Sequence, residues 1–213
     1  MFYIAKTPKW VRKLFKAGIW EMSQKQKAIY LTFDDGPHPE ITPFVLDILS
    51  KYNARATFFC IGKNVVDNPS VFNRILKEGH AVGNHTFNHL DGWKTENADY
   101  LKNILAAQKY IDSDLFRPPY GRITWNQQRD LTQSKQPFKI IMWSVLSGDF
   151  DVNISPEQCL KNVLKNTKSG SVVVFHDSEK ANARMRYALP LVLKHYAGKG
   201  YLFEKINFNK GPE

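Results

Sequence analysis

Ala28-Ile-Tyr-Leu-Thr-Phe-Asp-Asp-Gly-Pro37 begins as a β-branched and aromatic run and ends in two adjacent acids and a turn. Its first six residues read as a buried strand. Gly36-Pro37 forces a turn that holds the acids at the strand's end. Side chains alternate along a strand, so Asp34 and Asp35 point different ways. One can ligate an ion while the other does something else.

The same pattern recurs along the chain. Further strand candidates are 56–61, 80–83, 115–117, 138–144, 171–175 and 201–204. Most are separated by amphipathic helix patterns. Thr42-Pro43, Asn68-Pro69 and Ser155-Pro156 each place a capping side chain before a proline suited to the first helical position. Glu96–Ile111 carries Leu101, Ile104, Leu105 and Ile111 on one face, and Ala181–Ala197 ends near Gly198 and Gly200. Repeated strand–helix alternation predicts parallel strands with helical crossovers. Asp34, Asp35, His85, Arg117, Asp149 and His176 all fall at or just after a strand end. A barrel gathers such ends on one rim, whereas an open sheet gathers only those near its switch point. The expected fold is therefore α/β, a distorted barrel of about seven parallel strands, preceded by an amphipathic N-terminal helix.

The chain has 213 residues, 43% hydrophobic and 23% charged, which fits one globular domain over 28–213 behind a basic segment, 1–27. Cys60 and Cys159 are far apart in apolar or helical contexts and read as buried free thiols. Of the net charge of +10, residues 1–27 hold +6, with seven lysines and arginines against one glutamate. A nucleic-acid binder would spread its basic residues over a folded face. Trp10, Val11, Leu14 and Phe15 instead repeat at helical spacing, with Lys9, Arg12, Lys13 and Lys16 on the other side. This stripe is expected to pack on the domain; contact with an anionic membrane surface is the alternative. No secretory signal or membrane-spanning stretch is visible, which fits a cytoplasmic protein or one exported by a route the sequence does not show.

His85-Thr-Phe-Asn-His89 spaces two imidazoles four apart. On a helical turn they share one face and can grip one ion. With one aspartate they make a three-ligand site with open positions, the arrangement of catalytic zinc, although the same set serves non-haem iron oxygenases. Three other residues favour hydrolysis. Arg117, stiffened by Pro118 and Pro119, is suited to aim a carboxylate. His176 ends the buried run Ser171-Val-Val-Val-Phe175, and Asp149 offers it an anion that would keep it protonated.

Thr32–Pro37, His85–His89, Arg117–Gly121, Trp143–Asp149 and Val174–Asp177 together resemble the motifs of the polysaccharide deacetylase family, with the NodB homology domain. The resemblance covers about residues 28–205. It implies a distorted barrel and a metal-dependent hydrolase removing N-acetyl groups from a polysaccharide of N-acetylglucosamine, such as peptidoglycan or chitin-like chains. Deacetylation of xylan esters and non-catalytic carbohydrate binding are the alternatives. Asp34 would be the base, oriented by Arg117, and Asp35, His85 and His89 would hold one divalent ion, usually zinc, with cobalt possible. The Tyr120 backbone N–H would stabilise the oxyanion, and His176, tuned by Asp149, would protonate the leaving amine. Trp143, Phe150 and Val174 would line the acetyl pocket. Two departures stand out: Phe150 and Val174 occupy positions where the family often carries tryptophan and leucine.

Overall fold

The computed structural model describes residues 4–208. Its strands are β1 (Gly18–Ile19), β2 (Ala28–Asp34), β3 (Thr57–Cys60), β4 (Ala81–Asn84), β5 (Leu115–Phe116), β6 (Lys139–Ile141), β7 (Val145–Leu146), β8 (Val172–His176) and β9 (Leu202–Phe203). The helices are α1 (Lys9–Leu14), α2 (Ile41–Lys51), α3 (Gly62–Asp67), α4 (Pro69–Lys77), α5 (Asn97–Gln108), α6 (Trp125–Thr132), α7 (Pro156–Asn166) and α8 (Asn182–Ala197). Every strand pair is parallel, in the order β1-β6-β5-β4-β3-β2-β8-β7, with β9 beside β2.

β6, next to the edge strand β1, and β7 at the opposite end of this order lie on one stretch of chain. The expected strand 138–144 is β6, and it bends at Met142–Ser144 into β7. β6 pairs with β5, and β7 pairs with β8. The bend is held from both sides, by Met142 N–H donating to the Ile19 carbonyl and Ser144 N–H to that of Val172. This single stretch curls the sheet into a distorted barrel. β1 and β7 are two strands more than the sequence reading supplied; each is two residues long, too short to show a period.

Register separates two apolar layers. Leu31, Phe33, Phe58, Val173 and Phe175 face outward and join helix residues such as Val45, Leu46, Leu189 and Val192 in the main core. Phe33 stacks on Phe58 and on Phe175, with centroids 5.1 and 6.1 Å apart. The alternate residues face inward. There Phe59 is fully buried, and Gly83 leaves the space its ring occupies, since a Cβ at Gly83 would lie 2.5 Å from it. Neighbours in parallel register share a face. Asp34 pairs with His176 across β2 and β8, so both reach the same rim.

One expected cap forms and other local expectations change. Ser155 caps α7 by accepting from Gln158 N–H. Thr42 lies inside α2, where its hydroxyl serves His38 and Asp177 instead. Asn68 precedes α4 but spends its amide on the carbonyls of Pro37 and Asn64. The capping box falls at Thr124 and Gln127, opening α6. In α5, Ile104 is buried but Leu105 is exposed.

The N-terminal segment lies against the barrel through its backbone: Thr7 N–H donates to Ser144, and Leu146 N–H donates to Ala5. The apolar stripe divides. Phe15 packs beside Trp20, while Trp10 and Leu14 are 63% and 65% exposed. With only six residues, α1 buries none of its side chains fully. No helix of the described residues is long and apolar enough to cross a membrane.

Candidate active site

Asp34 ends β2 and is almost fully buried. Arg117, leaving β5, donates from Nη1 to Asp34 Oδ1 at 2.6 Å and to Thr32 Oγ1 at 2.7 Å. Its Nε and Nη2 donate to the carbonyls of Ile141 and Met142 at 3.1 and 3.2 Å, and its plane lies 4.1 Å from the Phe59 ring centre. Arg117 thus aims Asp34 and also satisfies carbonyls at the bend that closes the barrel. The sequence suggested the first task and gave no sign of the second. Burial lowers the guanidinium pKa, and the adjacent Asp34 offsets only part of that fall.

Asp35 turns away at φ 81°, in the left-handed region. Its Oδ1 lies 3.2 Å from His89 Nε2 and 3.7 Å from His85 Nε2, and the two imidazole centres are 5.1 Å apart. His85 Nδ1 sits 2.7 Å from the Arg117 carbonyl. A carbonyl only accepts, so Nδ1 carries the proton and Nε2 presents its lone pair to Asp35. Asp35 Oδ1 is itself buried without a hydrogen bond. Three electron-pair donors aimed at one spot, one an orphaned carboxylate oxygen, fit a divalent cation. Burial raises the Asp35 pKa, but the close approach of His89 and the charge influence of His176, His85 and His89 outweigh it and hold the carboxyl below its usual range. Burial lowers His85 to about 4, which keeps it neutral as a ligand must be.

The expected helical turn at His85–His89 is instead an irregular loop, with Thr86 at φ 64° and His89 at φ 57°. Polar side chains hold it open. Asn103 Oδ1 accepts from the N–H groups of Phe87 and Asn88, and Asn84 Oδ1 accepts from Thr86. Asp177 does the same for the acidic turn, accepting from Gly36 N–H at 3.1 Å and from the Thr42 hydroxyl. A Cβ at Gly36 would collide with that carboxylate. Asn84 and Asn103 carry no sequence signal, because an asparagine that ties a loop looks like any other, and Asp177, although it ends a motif, shows no sign of this task in the sequence.

His176 Nδ1 lies 2.8 Å from Asp149 Oδ1, and its backbone N–H donates to the other oxygen at 2.7 Å. The ring's second nitrogen is left for the cavity that His176 lines. Burial favours the neutral imidazole. The charge and hydrogen bond of Asp149, with Asp35 and Asp34 behind, overcome this and raise the pKa to about 10.

A cavity of about 490 Å³ joins these groups. Asp34, Asp35, His85, His89, Tyr120, Trp143, Phe150, Val174 and His176 all line it, nine of the eleven expected site residues; the other two, Arg117 and Asp149, sit behind the wall and hydrogen-bond Asp34 and His176. Phe150 meets His176 edge-on at 5.3 Å, and Tyr120, at φ 61°, meets His89 edge-on at 4.7 Å. Leu146, Trp93, Arg122 and Lys180 also line the cavity.

A parallel barrel with a three-donor cluster and two buried carboxylates on one rim is the frame of a barrel hydrolase. The chain belongs to the polysaccharide deacetylase family, whose model matches residues 21–138; that family is metal-dependent. It is 37% identical over 194 residues to a peptidoglycan-N-acetylglucosamine deacetylase of Bacillus cereus, covering 88% of this chain and 90% of that one. A chitooligosaccharide deacetylase of Azorhizobium caulinodans is 37% identical over 165 residues, 73% of this chain and 76% of that one. A solved peptidoglycan N-acetylglucosamine deacetylase, in complex with 4-naphthalen-1-yl-N-oxidanyl-benzamide, superposes with a TM-score of 0.84 at 32% identity, over 94% of this chain and 95% of that one.

Proposed function

We propose that this chain hydrolyses the N-acetyl groups of N-acetylglucosamine units in a polysaccharide, with Asp34 as base and His176 as acid. One observation carries this: Asp34, gripped by Arg117, is the strand-register neighbour of His176, and both line the cavity that contains the Asp35–His85–His89 cluster. Asp35, His85 and His89 would hold one divalent cation, zinc by their nitrogen and oxygen donor set. When bound, that cation supplies Lewis acidity to the acetyl carbonyl and to water.

The protein's own groups complete the reaction. Arg117 occupies one Asp34 oxygen and leaves the other to take the proton of the attacking water. The water oxygen bonds to the acetyl carbon, and the Tyr120 backbone N–H stabilises the charge that develops on the carbonyl oxygen. As the carbon–nitrogen bond breaks, His176 gives a proton to the departing amine. Acetate and a free amino sugar result. Trp143, Phe150 and Val174 form an apolar wall against the acetyl methyl group. Valine in place of leucine removes one methylene of that wall, a change that acts on KM more than on chemistry.

The substrate is tested by acetate release from N-acetylglucosamine oligomers and from acetylated xylan, with zinc supplied. Release from the amino sugar is expected. Release from xylan alone would move the assignment to an O-acetyl esterase.

Asp149→Asn tests the acid. Without the anion, the pKa of His176 falls, so the ring loses its proton at lower pH. The alkaline limb of the kcat profile is expected to move down by about 1–3 units. An unmoved limb would remove His176 from that role.

A further inference from the structure

The cavity mouth carries an aromatic surface that the acetyl chemistry does not use. Trp93 lines the cavity yet is 65% exposed. Its indole N–H is already committed to the Ile123 carbonyl at 3.2 Å. Arg122 stands over its ring at 5.2 Å and over the Tyr120 ring at 5.7 Å. That guanidinium is in turn paired with Asp91 at 2.6 Å. With Arg122 on one face, the exposure of Trp93 belongs to its other face and edge.

The loop beneath is tied down. Asp91 Oδ1 accepts from Trp93 N–H, and its carbonyl accepts from Lys94 N–H and the Thr95 hydroxyl. Buried Gln127 donates to the carbonyls of Gly92 and Thr95 at 2.9 and 3.2 Å. A Cβ at Gly92 would lie 2.5 Å from the Arg122 carbonyl, so loop and platform fit closely. A large aromatic ring fixed in this way while most of its surface is left to solvent marks a binding surface.

We propose that the open face of Trp93 is a sugar subsite, stacking a pyranose ring that neighbours the unit being deacetylated. This rests on the deacetylase reading of the cavity. The platform is flat, and its one polar hydrogen is spent. The cation behind it is balanced by Asp91. It therefore offers nothing to a carboxylate or phosphate and everything to the apolar C–H face of a neutral sugar. Trp93 and Tyr120 share one guanidinium, and Tyr120 meets the ligand His89, so the surface runs continuously from the rim to the reacting centre. A neighbouring sugar of a linked chain can lie along it. Trp93 thus sets a preference for oligomers over the shortest substrates.

The test compares kcat/KM on the β-1,4-linked N-acetylglucosamine tetramer and dimer for the zinc-loaded protein and two variants. Trp93→Ala is expected to lower kcat/KM on the tetramer about tenfold, through KM, with a much smaller change on the dimer. Trp93→Phe keeps an aromatic face without the indole N–H and is expected to retain most of the tetramer rate, which separates stacking from loop collapse. Equal loss on both substrates, or no loss on either with the wild type active, would overturn the subsite. Failure of the wild type to release acetate from either oligomer would instead strike the deacetylase reading itself.

Discussion

Asp34→Asn is expected to lower acetate release about a thousandfold while the protein still binds one metal ion per chain. The two aspartates are adjacent in sequence yet separate in task. Asp35 alone joins the histidine cluster, and Asp34 is turned to Arg117. Asparagine has nearly the same shape and can still accept from the guanidinium, but it cannot take a proton from water. Metal content by elemental analysis, measured beside the rate, separates the two roles. Loss of the metal together with the rate would make Asp34 a ligand; retention of full rate would make another group the base.

Arg117→Met should produce the largest loss of stability together with loss of turnover. The guanidinium is fully buried and satisfies four acceptors: Asp34, Thr32 and the carbonyls of Ile141 and Met142. Its removal leaves the Asp34 carboxylate buried without a partner. Breaking a buried pair from one side costs about 3–5 kcal/mol, a fall in Tm of roughly 10 °C for a chain of this size. Adding Asp34→Asn to Arg117→Met removes the unpaired charge, so the double variant is expected to be more stable than Arg117→Met alone. If thermal unfolding places the double variant lower still, then the pairing of Asp34 and Arg117 is not what Arg117 chiefly contributes, and the bend carbonyls are.

The fold was readable because strands 28–33, 56–61 and 171–175 are apolar runs long enough to declare themselves, and because the motifs fall at strand ends. β1 and β7 were not, since two residues carry no period. The closure through 139–146 depends on pairing with β5 and β8, contacts distant in sequence. The candidate site was legible because reactive residue types cluster in short motifs. What holds them was not. The His85–His89 loop departs from a helical turn because Asn103, midway along α5, captures the N–H groups of Phe87 and Asn88. Thr42 was read as a cap, whereas its hydroxyl serves Asp177 across the fold. Sequence spacing reports local preference, and these side chains answer to partners far along the chain.

The most direct measurement is a zinc titration of chelator-stripped protein, following acetate release from the N-acetylglucosamine tetramer. The expected result is no release without metal, and release that rises with added zinc and breaks at one ion per chain, with His85→Ala failing to recover. Full release from the stripped protein, or recovery in His85→Ala equal to the wild type, would contradict the assignment of the Asp35–His85–His89 site.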